Sequence, residues 1–159
     1  MQNEKINLAR RWFEEVWNQR RTDTIDELLT DESVSHSDTG FLRGKQEFKD
    51  RTHTVFLSAF PDLRITVEAV VGDGDEVVVR WVFTGTHRGD TLGFPGTGRT
   101  ISFRGMTWIR FLGDKLIAGW DCGNQAGLIQ SLRETGATVP DAAVNQGALS
   151  ASPPRAKTP

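Results

Sequence analysis

The sequence predicts an α+β fold: helices first, then an antiparallel sheet curved into a cone around them. Three observations carry this reading. From Ile6 to Phe60 the apolar residues recur at helical spacing, from Leu63 to Asp121 they alternate at period two, and Gly-Asp turns separate the alternating runs. Helices followed by a meander of strands build α+β layers, whereas a doubly wound sheet needs strands and helices in alternation.

The elements follow in order. Ile6, Ala9, Trp12, Phe13, Val16 and Trp17 share one helical face, with Glu4, Lys5, Arg10, Arg11, Glu14 and Glu15 on the rest. Polar residues 18–21 end that helix. A short helix over 24–29 follows, with Asp23 as its expected N-cap. Residues 34–36 read as a short strand and Ser37-Asp38-Thr39-Gly40 as a turn. Helical spacing returns over 45–60 through Phe48, Thr52, Val55, Phe56 and Ala59, until Pro61 stops it.

Four strands are then expected. Over 63–71, Leu63, Ile65, Val67 and Ala69 share a face, and 72–75 make a hairpin turn. Over 76–87 that face carries Val77, Val79, Trp81, Phe83 and His87. The glycine-rich stretch 88–98 is a loop. Residues 99–112 present Ile101, Phe103, Gly105, Thr107, Ile109 and Phe111, and Gly113-Asp114 turns the chain. The last strand, 115–121, presents Ile117, Gly119 and Asp121. In a curved sheet these odd positions face inward. Leu128, Ile129 and Leu132 mark a closing helix. The domain is expected to span 1–135, with an Ala/Pro/Ser-rich, disordered tail over 136–159.

Composition excludes several classes. The chain of 159 residues has room for one domain, and its net charge of −2 without a polybasic run argues against nucleic acid and membrane partners. No apolar stretch is long enough to span a bilayer, and the opening Met-Gln-Asn-Glu-Lys lacks the apolar run of a secretory signal, so a cytoplasmic location is expected. A single cysteine, Cys122, rules out an internal disulfide, and its even strand face argues against a nucleophile. His36, His53 and His87 form no spaced metal pair, so no metal site is expected, and the glycine runs match no phosphate loop. With five Trp and nine Phe but no Tyr, any mechanism needing a tyrosine hydroxyl is excluded.

Three ionisable groups stand at apolar positions: His36, His87 and Asp121. An aspartate facing a pocket among Trp and Phe has its charged form disfavoured, which makes it a stronger base. It can equally be an ordinary strand-end carboxylate, and Asn124 reads first as a helix N-cap.

Several motifs together resemble one family. Trp81-Val82-Phe83-Thr84-Gly85-Thr86-His87-Arg88-Gly89 is similar to the W-x-F-x-G-T-H-x-G strand of SnoaL-like polyketide cyclases, in the nuclear-transport-factor-2-like superfamily. Gly96-Thr97-Gly98-Arg99 resembles the element that follows, with Pro95 one place early. Lys115 to Asp121 and Gly127-Leu128-Ile129-Gln130 resemble the closing strand and helix, and Trp12 to Asn18 the opening helix.

The resemblance implies a cone-shaped α+β domain, dimeric through the outer face of its sheet, with a cavity for a small apolar or aromatic carbonyl substrate. It implies a cofactor-independent aldol-type ring closure with Asp121 as general acid/base. His36 and His87 would position and polarise the substrate. Phe13, Trp17, Trp81, Phe83, Phe103 and Thr107 would line the cavity, and the 88–98 loop would cover its mouth. Two positions depart from the family pattern. Thr107 stands where some cyclases carry an assisting histidine. Asn124, counted here with the substrate-contacting residues, stands where an acidic residue is common. Hydroxylation, isomerisation, lyase chemistry and pure ligand binding in a dimeric module are the alternatives.

Overall fold

The computed structural model describes residues 2–134; the tail expected over 136–159 lies outside the described residues. The chain starts with helix α1 (Gln2–Arg11), which widens into a π-helical segment, Trp12–Asn18. Trp12, Phe13, Val16 and Trp17 are all buried there, as their spacing predicts. Helix α2 (Thr22–Leu28) follows. Asp23 lies inside its first turn, where its carboxylate accepts from the Thr24 N–H at 3.0 Å, so it is not the preceding cap that the sequence suggests.

Strand β1 (Leu29–Ser37) is longer than expected, and β2 (Gly40–Arg43), which starts at the end of the expected 37–40 turn, is a strand the sequence does not announce. Helix α3 (Gly44–Phe48), a π-helical segment (Lys49–His53) and α4 (Thr54–Ala59) form the helical stretch expected over 45–60. The strands β3 (Arg64–Asp73), β4 (Glu76–Thr86), β5 (Thr100–Leu112) and β6 (Lys115–Cys122) follow, and α5 (Gln125–Arg133) closes the domain. No helix is long and apolar enough to cross a membrane among the described residues.

The six strands form one sheet in the order β2-β1-β6-β5-β4-β3. All neighbours are antiparallel except β1 and β6, which run parallel. The helices pack in the concave side, where Val16, Ile25, Leu28 and Phe60 meet Val77, Val79 and Ile109 in one core.

Two irregularities change which residues face inward. Glu68 is left out of the β3–β4 pairing, because Val67 pairs with Trp81 and Ala69 with Arg80. Beyond this bulge the parity flips: Val70 pairs with the buried Val79, and Val71 is 64% exposed. The expected inward Ala69 is thereby displaced. On β6, Ile117 is skipped between Phe111↔Leu116 and Arg110↔Ala118, so Leu116 faces the core in place of Ile117. Gly119 and Asp121, beyond the bulge, keep the predicted inward parity.

Candidate functional site

The concave face holds a cavity of about 1100 Å³, counting the part open to solvent. The first helix supplies Trp12, Phe13 and Trp17, and α3 and α4 add Phe48 and Phe56. Strands contribute Trp81, Phe83, Phe103, Thr107 and Asp121, and α5 closes one side with Gln125 and Leu128. Apolar rings with a few polar groups are the usual make-up of a small-molecule pocket.

Its polar centre is a short relay across three strands. Trp81 pairs with Gly105 across β4–β5, and a Cβ on Gly105 would stand 2.6 Å from the Trp81 ring. The missing side chain lets the indole lie flat across β5. There Trp81 Nε1 donates to Thr107 Oγ1 at 2.9 Å. The Thr107 hydroxyl then spends its own proton on Asp121 Oδ1, at 2.6 Å, its cross-strand partner on β6. Because the indole can only donate, the direction of both bonds is fixed. No described residue bonds Asp121 Oδ2, which is left for a ligand.

Asp121 is exposed to the cavity while protein surrounds it on the wider scale. Desolvation pushes its pKa up to about 6; the Thr107 hydrogen bond opposes the rise and the nearby Asp38 carboxylate adds to it. A carboxylate with this pKa is mostly ionised at neutral pH yet more basic than a surface aspartate.

The other expected site residues lie elsewhere. His36 pairs with Trp120 across β1–β6 and stacks on it, centroids 5.5 Å apart and planes 4° apart. Gly119 and Asp121 face inward, so Trp120 and His36 share the outer face of the sheet. His87 is wholly buried between Phe60 and Phe94, with centroids at 5.5 and 5.1 Å. Its Nδ1 accepts from the Thr97 N–H at 3.2 Å, which ties down the 88–98 loop. Nε2 therefore carries the ring proton, and it has no hydrogen-bond partner among the described residues. Burial holds the His87 pKa below its ordinary value. Neither histidine lines the cavity, where both are expected beside the substrate. Asn124 caps α5, its Oδ1 accepting from the Gly127 N–H at 3.0 Å, and does not line the cavity either.

One charged residue that the sequence does not mark as a site residue does line it. Asp38, in the β1–β2 turn, accepts from the Ala126 N–H at 2.9 Å and so ties that turn to the start of α5. Its only sequence signal is an acidic residue beside the short strand, and turn aspartates are commonplace. Among the described residues no group of three or more His, Cys, Asp or Glu is placed to hold a metal ion.

Comparison with known proteins agrees with this architecture. A family model described as SnoaL-like polyketide cyclase matches residues 7–132. A structure from Jannaschia sp. CCS1, provisionally named a SnoaL-like polyketide cyclase, superposes with a TM-score of 0.75 at 22% identity, over 83% of this chain and 93% of that one. A protein of Acidithiobacillus ferrooxidans, provisionally named a polyketide cyclase, gives 0.69 at 29% identity, over 82% and 94%. One from Streptomyces galilaeus, provisionally named a hydroxylase, gives 0.72 at 26% identity, over 84% and 83%. Among curated proteins none matches.

Proposed function

The chain belongs to the SnoaL-like polyketide cyclase family, and on that premise we propose that it is a cytoplasmic, cofactor-independent cyclase with Asp121 as general acid/base. The observation that carries the reading is the Trp81–Thr107–Asp121 relay, which presents one free carboxylate oxygen of raised basicity to an aromatic-walled cavity. The substrate is a flat, mostly apolar molecule with an acidic C–H between carbonyls. Asp121 Oδ2 takes that proton, and the electron pair spreads into the adjacent carbonyls as an enolate. The enolate carbon attacks a second carbonyl of the same molecule, forming the ring C–C bond. The resulting alkoxide recovers the proton from Asp121, so no atom is gained or lost. The apolar walls keep water from competing for the proton.

The functional unit in this reading is a homodimer. The support is the outer sheet face, where Met106 and Trp108 are 47% and 48% exposed beside Trp120.

The test compares wild type with Asp121→Asn on a panel of tricyclic and tetracyclic polyketide precursors, followed by product mass. Product of unchanged mass from wild type, with turnover lowered at least about 100-fold in the variant, is the expected result. Equal turnover in both would rule out the acid/base role. A second reading, hydroxylation, is favoured by the likeness to the Streptomyces galilaeus protein, and a product heavier by one oxygen would select it. Binding without product in either protein would leave a ligand-binding module.

A further inference from the structure

The charge in the cavity is all of one sign. Asp38 and Asp121 line it, and no Lys, Arg or His does among the described residues. Elsewhere carboxylates are commonly neutralised: Glu15 and Glu27 by Arg11, Asp26 by Lys49, Glu76 by Arg110. Neither cavity carboxylate has a cationic partner among the described residues.

Asp38 is also fixed in place. It is exposed while lining the cavity, so it stands where the cavity meets solvent. Its carboxylate accepts from the Ala126 N–H in the first turn of α5, where the helix end favours a negative charge. A ligand entering here exchanges water for apolar rings. An anionic ligand would meet two like charges in turn, Asp38 where the cavity meets solvent and Asp121 among apolar rings that screen it poorly. A neutral ligand of the same shape meets no such barrier. A cationic one gains the carboxylates and the faces of Trp12, Trp17 and Trp81.

We propose that Asp38 is a specificity-determining residue at the cavity mouth, which turns away anionic ligands and admits neutral and cationic ones of the same shape. The proposal rests on the cavity being the substrate site, and it does not require Asp121 to act as a base. It implies that a physiological substrate carries no free carboxylate or phosphate when it binds.

Three fluorescent probes of one shape test it: anthracene bearing a hydroxymethyl, a carboxylate or an aminomethyl group at the same ring position. Each is titrated against wild type, Asp38→Asn and Asp121→Asn at low salt and about pH 8, well above the Asp121 pKa of about 6. The amide introduced by Asp38→Asn keeps an oxygen for the Ala126 N–H, and unchanged affinity for the neutral probe reports an intact cavity. Wild type is expected to bind the carboxylate probe at least about tenfold more weakly than the alcohol, with Asp38→Asn closing that gap to about threefold or less. The amine probe should lose affinity in the same variant. Equal binding of alcohol and carboxylate by wild type would overturn the proposal. So would a gap that persists in Asp38→Asn, or one that only Asp121→Asn closes. No binding of any probe would overturn it together with the reading of the cavity as a ring-binding site. Charge selection without turnover would leave Asp38 in its role and remove only the cyclase reading.

Discussion

Thr107 serves two neighbours at once, accepting from Trp81 Nε1 and donating to Asp121 Oδ1. Thr107→Val keeps the shape and removes both bonds. The Asp121 pKa should then rise above about 6, because the lost bond favoured the charged form. The acid limb of a kcat/KM profile should move to higher pH, and Thr107→Ser should restore it. An acid limb that stays in place in the valine variant would show that the hydroxyl does not tune the carboxylate. The sequence places Asp121 and Thr107 through plain alternation, since both lie on regular stretches of strand. It misplaces His36 because a short strand of three residues does not reveal its parity. The true β1 is fixed by pairing with β6, which puts His36 opposite the outward Trp120. Asp38 is missed for a related reason: its place in the cavity comes from a turn held by a distant helix.

At the scale of elements, the bulges mark where local pattern stops being informative. An unpaired residue such as Glu68 or Ile117 looks like any other member of its strand, yet the parity of the strand differs on its two sides: the expectation fails after Glu68 on β3 and before Ile117 on β6. The hairpins at 72–75 and 113–114 are legible because Gly74 and Gly113 take positive φ, of 56° and 59°, which glycine adopts freely. His87 is one anchor of the 88–98 loop, beside the Arg88 and Gly89 amides on the Ala59 carbonyl and the Thr91 hydroxyl on that of Val55. That ring must stay neutral for Nδ1 to accept from Thr97, and its folded pKa lies below the usual value near 6.5. As pH falls below about 6.5, an opened or unfolded form takes up the proton first, so the closed loop loses stability until the folded pKa is passed. Hydrogen exchange at the Thr97 and Gly98 amides, corrected for the intrinsic rate, should therefore speed up between about pH 7 and pH 5. Unchanged protection across that interval would show that His87 does not latch the loop.

For the whole molecule, the sheet has two faces with different tasks. The inner face holds the core and cavity, and the outer one carries an aromatic row of His36, Trp120 and Trp108 with Arg110 over Trp120. If a second copy covers this row, Met106→Glu should convert a dimer of twice the chain mass to a monomer in sedimentation, with helix and strand content unchanged. A wild-type chain that sediments as a monomer would remove the dimer from the reading. The overall class and the order of helices before strands are legible from periodicity alone. The parallel β1–β6 pair is not, because nothing local to Leu29–Ser37 names its distant partner. That pair has a consequence for how the protein is made. During synthesis β1 leaves the ribosome early but must wait for Lys115–Cys122 before its inner edge is paired. The strand that ends the wait is also the one bearing Asp121. Closing the sheet and completing the polar centre of the cavity are thus a single late event, and a chain halted before it carries an open edge and a cavity without Asp121.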